Sequence, residues 1–289
     1  MNKLRLTLIL LVLACGYVLA QGGRVLETLT VKSEILKADR LFAIYLPPGY
    51  DETDQSYPVL YLLHGGGDDH TGWVQFGQVQ HIADKAIAEG KSAPMIIVMP
   101  DANTGTRGYF NNLNGFRYED FFFQELMPFI EKNYRTRTER RYRAIAGLSM
   151  GGGGTIFYSL HRPELFAAAA PLSASTGSWD LDAFIEQQKR SNSSASEQQV
   201  LDYYNNHSVA AIIEHASEEK LRQIKQIRWY MSCGDDDFLY EGNSRMHILF
   251  RQKEIPHEFR IKDGGHTWSY WRMELPDVMD FVSKSFTQF

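Results

Sequence analysis

Hydrophobic positions fall into two rhythms along this chain, and their alternation predicts the fold. Leu26–Ser33 and Arg40–Leu46 alternate apolar with polar residues, as strands with one solvated face do, and Pro47-Pro48-Gly49 ends the pair. They read as early antiparallel strands. Pro58–Leu63 and Met95–Pro100 are continuously apolar instead, the pattern of strands covered on both faces. Gln78–Glu89, between them, has helical spacing. Further along, helices at Tyr118–Tyr134, 152–161, Glu241–Lys253 and Trp268–Phe286 interleave with strand-like runs at Arg143–Ala146, Leu165–Leu172, Ile227–Cys233 and His257–Ile261. Such alternation predicts an α/β class: a mostly parallel central sheet with helices on both faces. Residues 178–226 break the rhythm, with the polar, serine-rich Gln187–Gln199 inside them, and read as a small helical insertion, a candidate cap or lid.

The run Arg143–Ala146 leads into Gly147-Leu148-Ser149-Met150-Gly151 and then three further glycines. A buried strand, a sharp turn with serine at its apex and a helix behind it form a nucleophile elbow, the arrangement of the α/β-hydrolase fold. A serine hydroxyl is a poor nucleophile until it stands exposed beside a base and beside donors for an oxyanion. The strained apex crowds residues two places away on either side, where Gly147 and Gly151 have no side chain.

Nine histidines could supply the base. His266 follows the strand His257–Ile261 through Lys262-Asp263-Gly264-Gly265, on a loop at a strand's carboxyl end that can aim an imidazole. His161, His207, His215, His247 and His257 fall on predicted helices or a strand start and read as packing or surface residues. The acid is expected from Cys233-Gly234-Asp235-Asp236-Asp237, where the turn form Gly-x-x-Asp favours Asp237 and leaves Asp235 second. An acidic loop of this kind could also bind calcium, but the spacing of oxygen ligands around a central glycine is absent, so no metal is expected. For the oxyanion hole the expected donors are the amides of Met150 and of Gly66, the latter in His64-Gly65-Gly66-Gly67, with His64 bracing that loop. Loop aromatics Trp73, Tyr109, Trp179 and Trp268, with Phe110 and Trp271, are candidates to bind an aryl acid or a sugar; Trp271 reads better as core.

With 289 residues, 44% of them hydrophobic and 22% charged, the chain has the makeup of a single large domain, expected over 21–289. A net charge of −5 without a basic run argues against nucleic-acid partners. Lys3 and Arg5 precede the apolar Leu6–Cys15 and then Val18-Leu19-Ala20, the layout of a secretory signal over 1–20. The apolar stretch is short for a membrane span, so no stable membrane insertion is expected after its removal. Val12-Leu13-Ala14 fits lipid attachment at Cys15 poorly. Cleavage after Ala20 leaves Cys233 as the only cysteine, and its place in an apolar run reads as buried rather than reactive.

Together, Tyr61-Leu-Leu-His-Gly-Gly-Gly with Trp73, Glu125-Leu126 with Pro128, Gly-Leu-Ser-Met-Gly-Gly, Cys-Gly-Asp-Asp-Asp-Phe-Leu and Gly-Gly-His-Thr-Trp resemble the esterase D-like esterases. Within that group the likeness is to carbohydrate esterase family 1, which includes feruloyl and acetylxylan esterases, and it covers roughly residues 35 to 285. The resemblance implies a cofactor-free serine esterase with Ser149, Asp237 and His266 as its triad. It further implies an ester of a small molecule or oligosaccharide as substrate. Relatives in that group also include S-formylglutathione hydrolases, siderophore esterases and acyltransferases of the antigen 85 type, so the acyl donor does not follow from the motifs. A hydrolase-like binding protein without turnover is disfavoured by the intact set of nucleophile, base, acid and glycine loop.

Overall fold

The computed structural model describes residues 22–103, 108–190 and 195–287. The expected signal segment, with Cys15, lies outside them. Its strands are β1 (Arg24–Ser33), β2 (Ala38–Leu46), β3 (Val59–Leu63), β4 (Ile96–Pro100), β5 (Arg143–Leu148), β6 (Ala168–Leu172), β7 (Arg228–Gly234) and β8 (His257–Lys262). They form one eight-stranded sheet in the order β1-β2-β4-β3-β5-β6-β7-β8. The first hairpin is antiparallel and joins β4 antiparallel, while β4 to β8 run parallel. The alternating pattern of the hairpin and the uninterrupted apolar runs of β3 and β4 therefore mark one edge and the interior of the sheet respectively.

Double cover explains why β3 needs five consecutive apolar residues. Val59, Tyr61 and Leu63 point into one buried cluster, with Phe122, Phe157 and Ile145, whereas Leu60 and Leu62 point into another, with Trp73, Val79, Leu275 and Val278. Each fully buried side chain of this size contributes roughly 1.5–3 kcal/mol, so neither face tolerates a polar substitution cheaply. Helices α1 (Gly72–Gln75) and α2 (Val79–Ala88) precede β4. Next come α3 (Tyr118–Phe121) and α4 (Met127–Asn133), which the π-helical turn Phe122–Leu126 joins into the single run expected from the sequence. That widened turn carries Glu125, whose carboxylate accepts hydrogen bonds from the Ser33 hydroxyl and from the amides of Glu34 and Ile35 at 2.9 and 3.1 Å, tying the β1–β2 turn to the helix.

Helix α5 (Met150–His161) follows β5 directly and is buried almost throughout. Four helices fill the crossover from β6 to β7: α6 (Leu181–Arg190), α7 (Glu197–His207), α8 (Val209–Glu214) and α9 (Glu218–Lys225). They differ in how they are held. Helix α6 buries none of its described side chains, whereas α8 sinks Val209, Ala211, Ile212 and Ile213 into the body of the protein. The crossover is thus pinned near its middle. Helices α10 (Tyr240–Gln252) and α11 (Trp268–Thr287) complete the layers. Among the described residues, no helix is long and apolar enough to cross a membrane.

Cys233 is buried on β7, and burial pushes its thiol up to about 12, the environment of an unreactive core cysteine.

Candidate active site

Ser149 stands between β5 and α5 with φ 54° and ψ −114°, a conformation that a residue with a side chain rarely adopts. Such strain costs about 1–3 kcal/mol and persists only where the surroundings enforce it. Here they do: the Ser149 amide donates to the Leu172 carbonyl at 2.9 Å, and its own carbonyl accepts from the amides of Gly153 and Ser175, each at 3.0 Å. The flanking glycines are required by contact. A methyl group at Gly147 would lie 2.5 Å from the Gly151 carbonyl oxygen, and one at Gly151 would lie 2.5 Å from that of His64. Gly151→Ala is therefore expected to destabilise the fold by about 1–3 kcal/mol, because backbone must move to admit it. An unchanged melting midpoint in that variant would contradict the close contact.

The hydroxyl this turn presents meets a base and an acid from distant parts of the chain. His266 Nε2 lies 2.9 Å from Ser149 Oγ, and His266 Nδ1 lies 3.0 and 2.9 Å from the two carboxylate oxygens of Asp237. A carboxylate only accepts, so Nδ1 carries the proton and Nε2 is left to accept from serine. Asp237 is 0% exposed. Burial would raise its carboxyl, but hydrogen bonds from the His266 ring, the Leu239 amide and the Ser173 hydroxyl prevail and hold it below its ordinary value. An imidazole so placed can take the serine proton, and the charge it gains is met by a carboxylate already ionised.

The sequence model of the family described as "Putative esterase" matches residues 33–281. The chain belongs to that family. Its fold is that of an α/β-hydrolase, and it carries the family's ester-hydrolase domain. Over 140 residues this esterase is 41% identical to an endo-1,4-beta-xylanase/feruloyl esterase from Xylanibacter ruminicola, a match covering 46% of this chain and 19% of that protein. The chain spans well under two thirds of the length of such curated relatives. Among solved structures it resembles a ferulic acid esterase at 34% identity and a TM-score of 0.81, covering 92% of this chain and 99% of the other. An S-formylglutathione hydrolase from Staphylococcus aureus shares the fold at 21% identity and a TM-score of 0.69, covering 90% of this chain and 99% of that one.

In this esterase the glycine loop after β3 is held from several sides. His64 is buried; its Nδ1 donates to the Gly65 carbonyl at 2.8 Å and its Nε2 accepts from the Ala102 amide at 3.0 Å. Burial pushes this imidazole down, so it stays neutral and keeps both bonds. Gly65 packs against the elbow, where an added methyl would reach 2.5 Å from a Leu148 methyl and 3.5 Å from the Ser149 Cβ, while Gly66 is exposed beside it. Met150 opens α5, so its amide is among those a helix leaves without an internal partner.

Two of the aromatics expected to bind substrate belong to this bracing instead. Trp73 is 1% exposed, and its indole donates to the Leu63 carbonyl at 3.0 Å. Tyr109 is 0% exposed; its hydroxyl accepts from the His64 amide at 2.9 Å and donates to the His64 carbonyl at 3.2 Å. Rings with no free face cannot stack on a ligand, which corrects the expectation for both. Trp268 is half-buried, packed edge-on against Trp73 at 5.2 Å and beside the exposed Phe76. Trp179 is half-buried with its indole donating to the Thr176 hydroxyl at 2.9 Å. Phe110 is half-buried against Phe157 and His207.

Asp235 has a different task from Asp237. It is exposed, and its carboxylate accepts from the Gly264 amide at 3.0 Å, fastening the loop that carries His266. Asp235, Asp236 and Asp263 form an exposed acidic group with oxygens within 4.8 Å of one another.

Sequence reasoning missed Ser173, which is buried at the end of β6 with φ 43°. Its hydroxyl accepts from the Trp271 indole at 3.0 Å and supports the Asp237 carboxylate. Since an indole only donates, the serine proton is left free for the acid.

Proposed function

We propose that this esterase is exported and removes feruloyl- or acetyl-type acyl groups from plant polysaccharide fragments through an acyl-enzyme on Ser149. The observation that carries the proposal is the continuous line of hydrogen bonds from Ser149 Oγ through His266 to the buried Asp237 carboxylate. In the first half-reaction Ser149 Oγ attacks the ester carbonyl carbon while His266 Nε2 takes its proton. The tetrahedral oxyanion is met by the Met150 and Gly66 amides, and Asp237 stabilises the imidazolium. Collapse of the intermediate breaks the bond to the alcohol, which leaves with the proton from Nε2. Water then repeats the sequence against the acyl-serine, releasing the acid and restoring the hydroxyl.

Feruloyl esters are favoured as substrates by the names of the 41% identical relative and of the 34% identical solved structure. Likeness to S-formylglutathione hydrolase is one of fold alone. The leader layout of residues 1–20 supports export, which separates the chain from a cytosolic thiol ester.

A fluorophosphonate probe is expected to label the protein at Ser149, and a rate panel should place methyl ferulate or acetylated xylan above S-formylglutathione. Failure to label alongside a reactive control esterase would overturn the mechanism. Preference for the thioester would overturn the substrate.

A further inference from the structure

Resting on that reading of the reaction, we propose that Phe238 is the contact surface for the alcohol half of the ester, stacking on the face of the sugar ring that leaves. Phe238 follows the triad acid directly in sequence and is tilted against the base, its ring centroid 4.4 Å from that of His266 with the planes at 47°. It is 70% exposed, so burial does not explain its position. Among the described residues the other ring against His266 is Trp271, at 5.0 Å, and it is 5% exposed. Among the described residues, therefore, Phe238 is the aromatic neighbour of the base that offers a free face.

The chemistry says which half of the substrate reaches that face. Collapse of the tetrahedral intermediate requires Nε2 to donate its proton to the departing oxygen, so the alcohol must sit beside the imidazole while the acyl oxygen turns toward the amides of the elbow and glycine loop. A ring tilted against the imidazole is thus beside the group attached through the departing oxygen. If that group is a sugar, one face of its ring presents a row of C–H bonds polarised by neighbouring oxygens. These are attracted to the electron-rich face of a phenyl ring. Tyr240, two residues on and 58% exposed at the start of α10, extends the exposed aromatic segment.

The fold leaves Phe238 free to serve this way. The Leu239 amide donates to Asp237 Oδ1 at 2.8 Å and the Tyr240 amide to the Asp237 carbonyl at 2.9 Å, so the turn carrying Phe238 is anchored through the acid rather than through the phenyl ring. Truncating the ring removes a surface without removing a support.

The test uses esters that differ only in the alcohol: methyl ferulate against a feruloylated arabinoxylan oligosaccharide, and methyl acetate against an acetylated xylo-oligosaccharide. For Phe238→Ala the ratio of kcat/KM on the glycosyl ester to that on the methyl ester is expected to fall about tenfold, a difference of about 1.4 kcal/mol carried by KM. Phe238→Trp, which keeps an aromatic face, should hold the ratio near that of the wild type. An unchanged ratio in Phe238→Ala, whether both rates fall together or neither falls, overturns the subsite while leaving the esterase reading standing. A wild-type enzyme that turns over neither glycosyl ester overturns the polysaccharide reading, and the subsite with it. Turnover of acetates without ferulates overturns only the choice of acid, and the acetate pair then decides the subsite.

Discussion

Replacing Ser149 by Ala is expected to lower kcat/KM for ester hydrolysis by roughly ten-thousand- to a million-fold, the scale on which removal of a triad nucleophile acts. The loss is large because His266 Nε2 is aligned on the Ser149 oxygen at 2.9 Å, and without that oxygen the proposed acyl-enzyme cannot form. Folding should survive the change. The cost of φ 54° belongs to the backbone, and alanine bears it as serine does. Steady-state rates on one activated ester, with melting curves beside them, check both halves; turnover within about a hundredfold of the wild type would remove Ser149 from the chemistry.

The second large effect separates neighbouring aspartates. Asp237→Asn is expected to reduce kcat/KM by about ten-thousandfold, because a neutral amide neither stabilises an imidazolium nor selects the tautomer that leaves Nε2 free. Asp235→Asn keeps an oxygen that can accept from the Gly264 amide, so its cost should stay below about tenfold. Measured side by side at one pH, the two variants rank the carboxylates. The opposite ranking would transfer the role of acid to the loop position.

Asp237 was legible through its turn rather than its chemistry. Three adjacent aspartates are chemically alike, and only the turn closed by the Asp237 amide on the Gly234 carbonyl at 3.2 Å sends the third inward and leaves the others outward. The elbow was legible for a steric reason: glycines two places to either side of a serine, between a buried strand and a helix, are what a tight apex with no room for side chains demands. The central strands β3 and β4 were legible because burial on both faces demands unbroken apolar runs, and the edge strand β1 because a solvated face demands alternation. Trp73 and Tyr109 were misread because a large ring near a loop has the same letter whether it faces solvent or supports the loop from within, and that choice is made by packing between segments far apart in sequence. Ser173 gave no signal, since a serine at a strand end is common and its use depends on Trp271, a residue 98 positions away. The four-residue α1 is too short to establish a period.

The crossover between β6 and β7 has an evolutionary corollary. Of its four helices α6 buries none of its described side chains while α8 is sunk in the body, so α6 can be lengthened or rewritten without displacing the ends of β5, β7 and β8, which Ser149, Asp237 and His266 follow. Change in that one helix can vary what lies over one side of the protein while the hydrogen-bonded line Ser149–His266–Asp237 stays fixed.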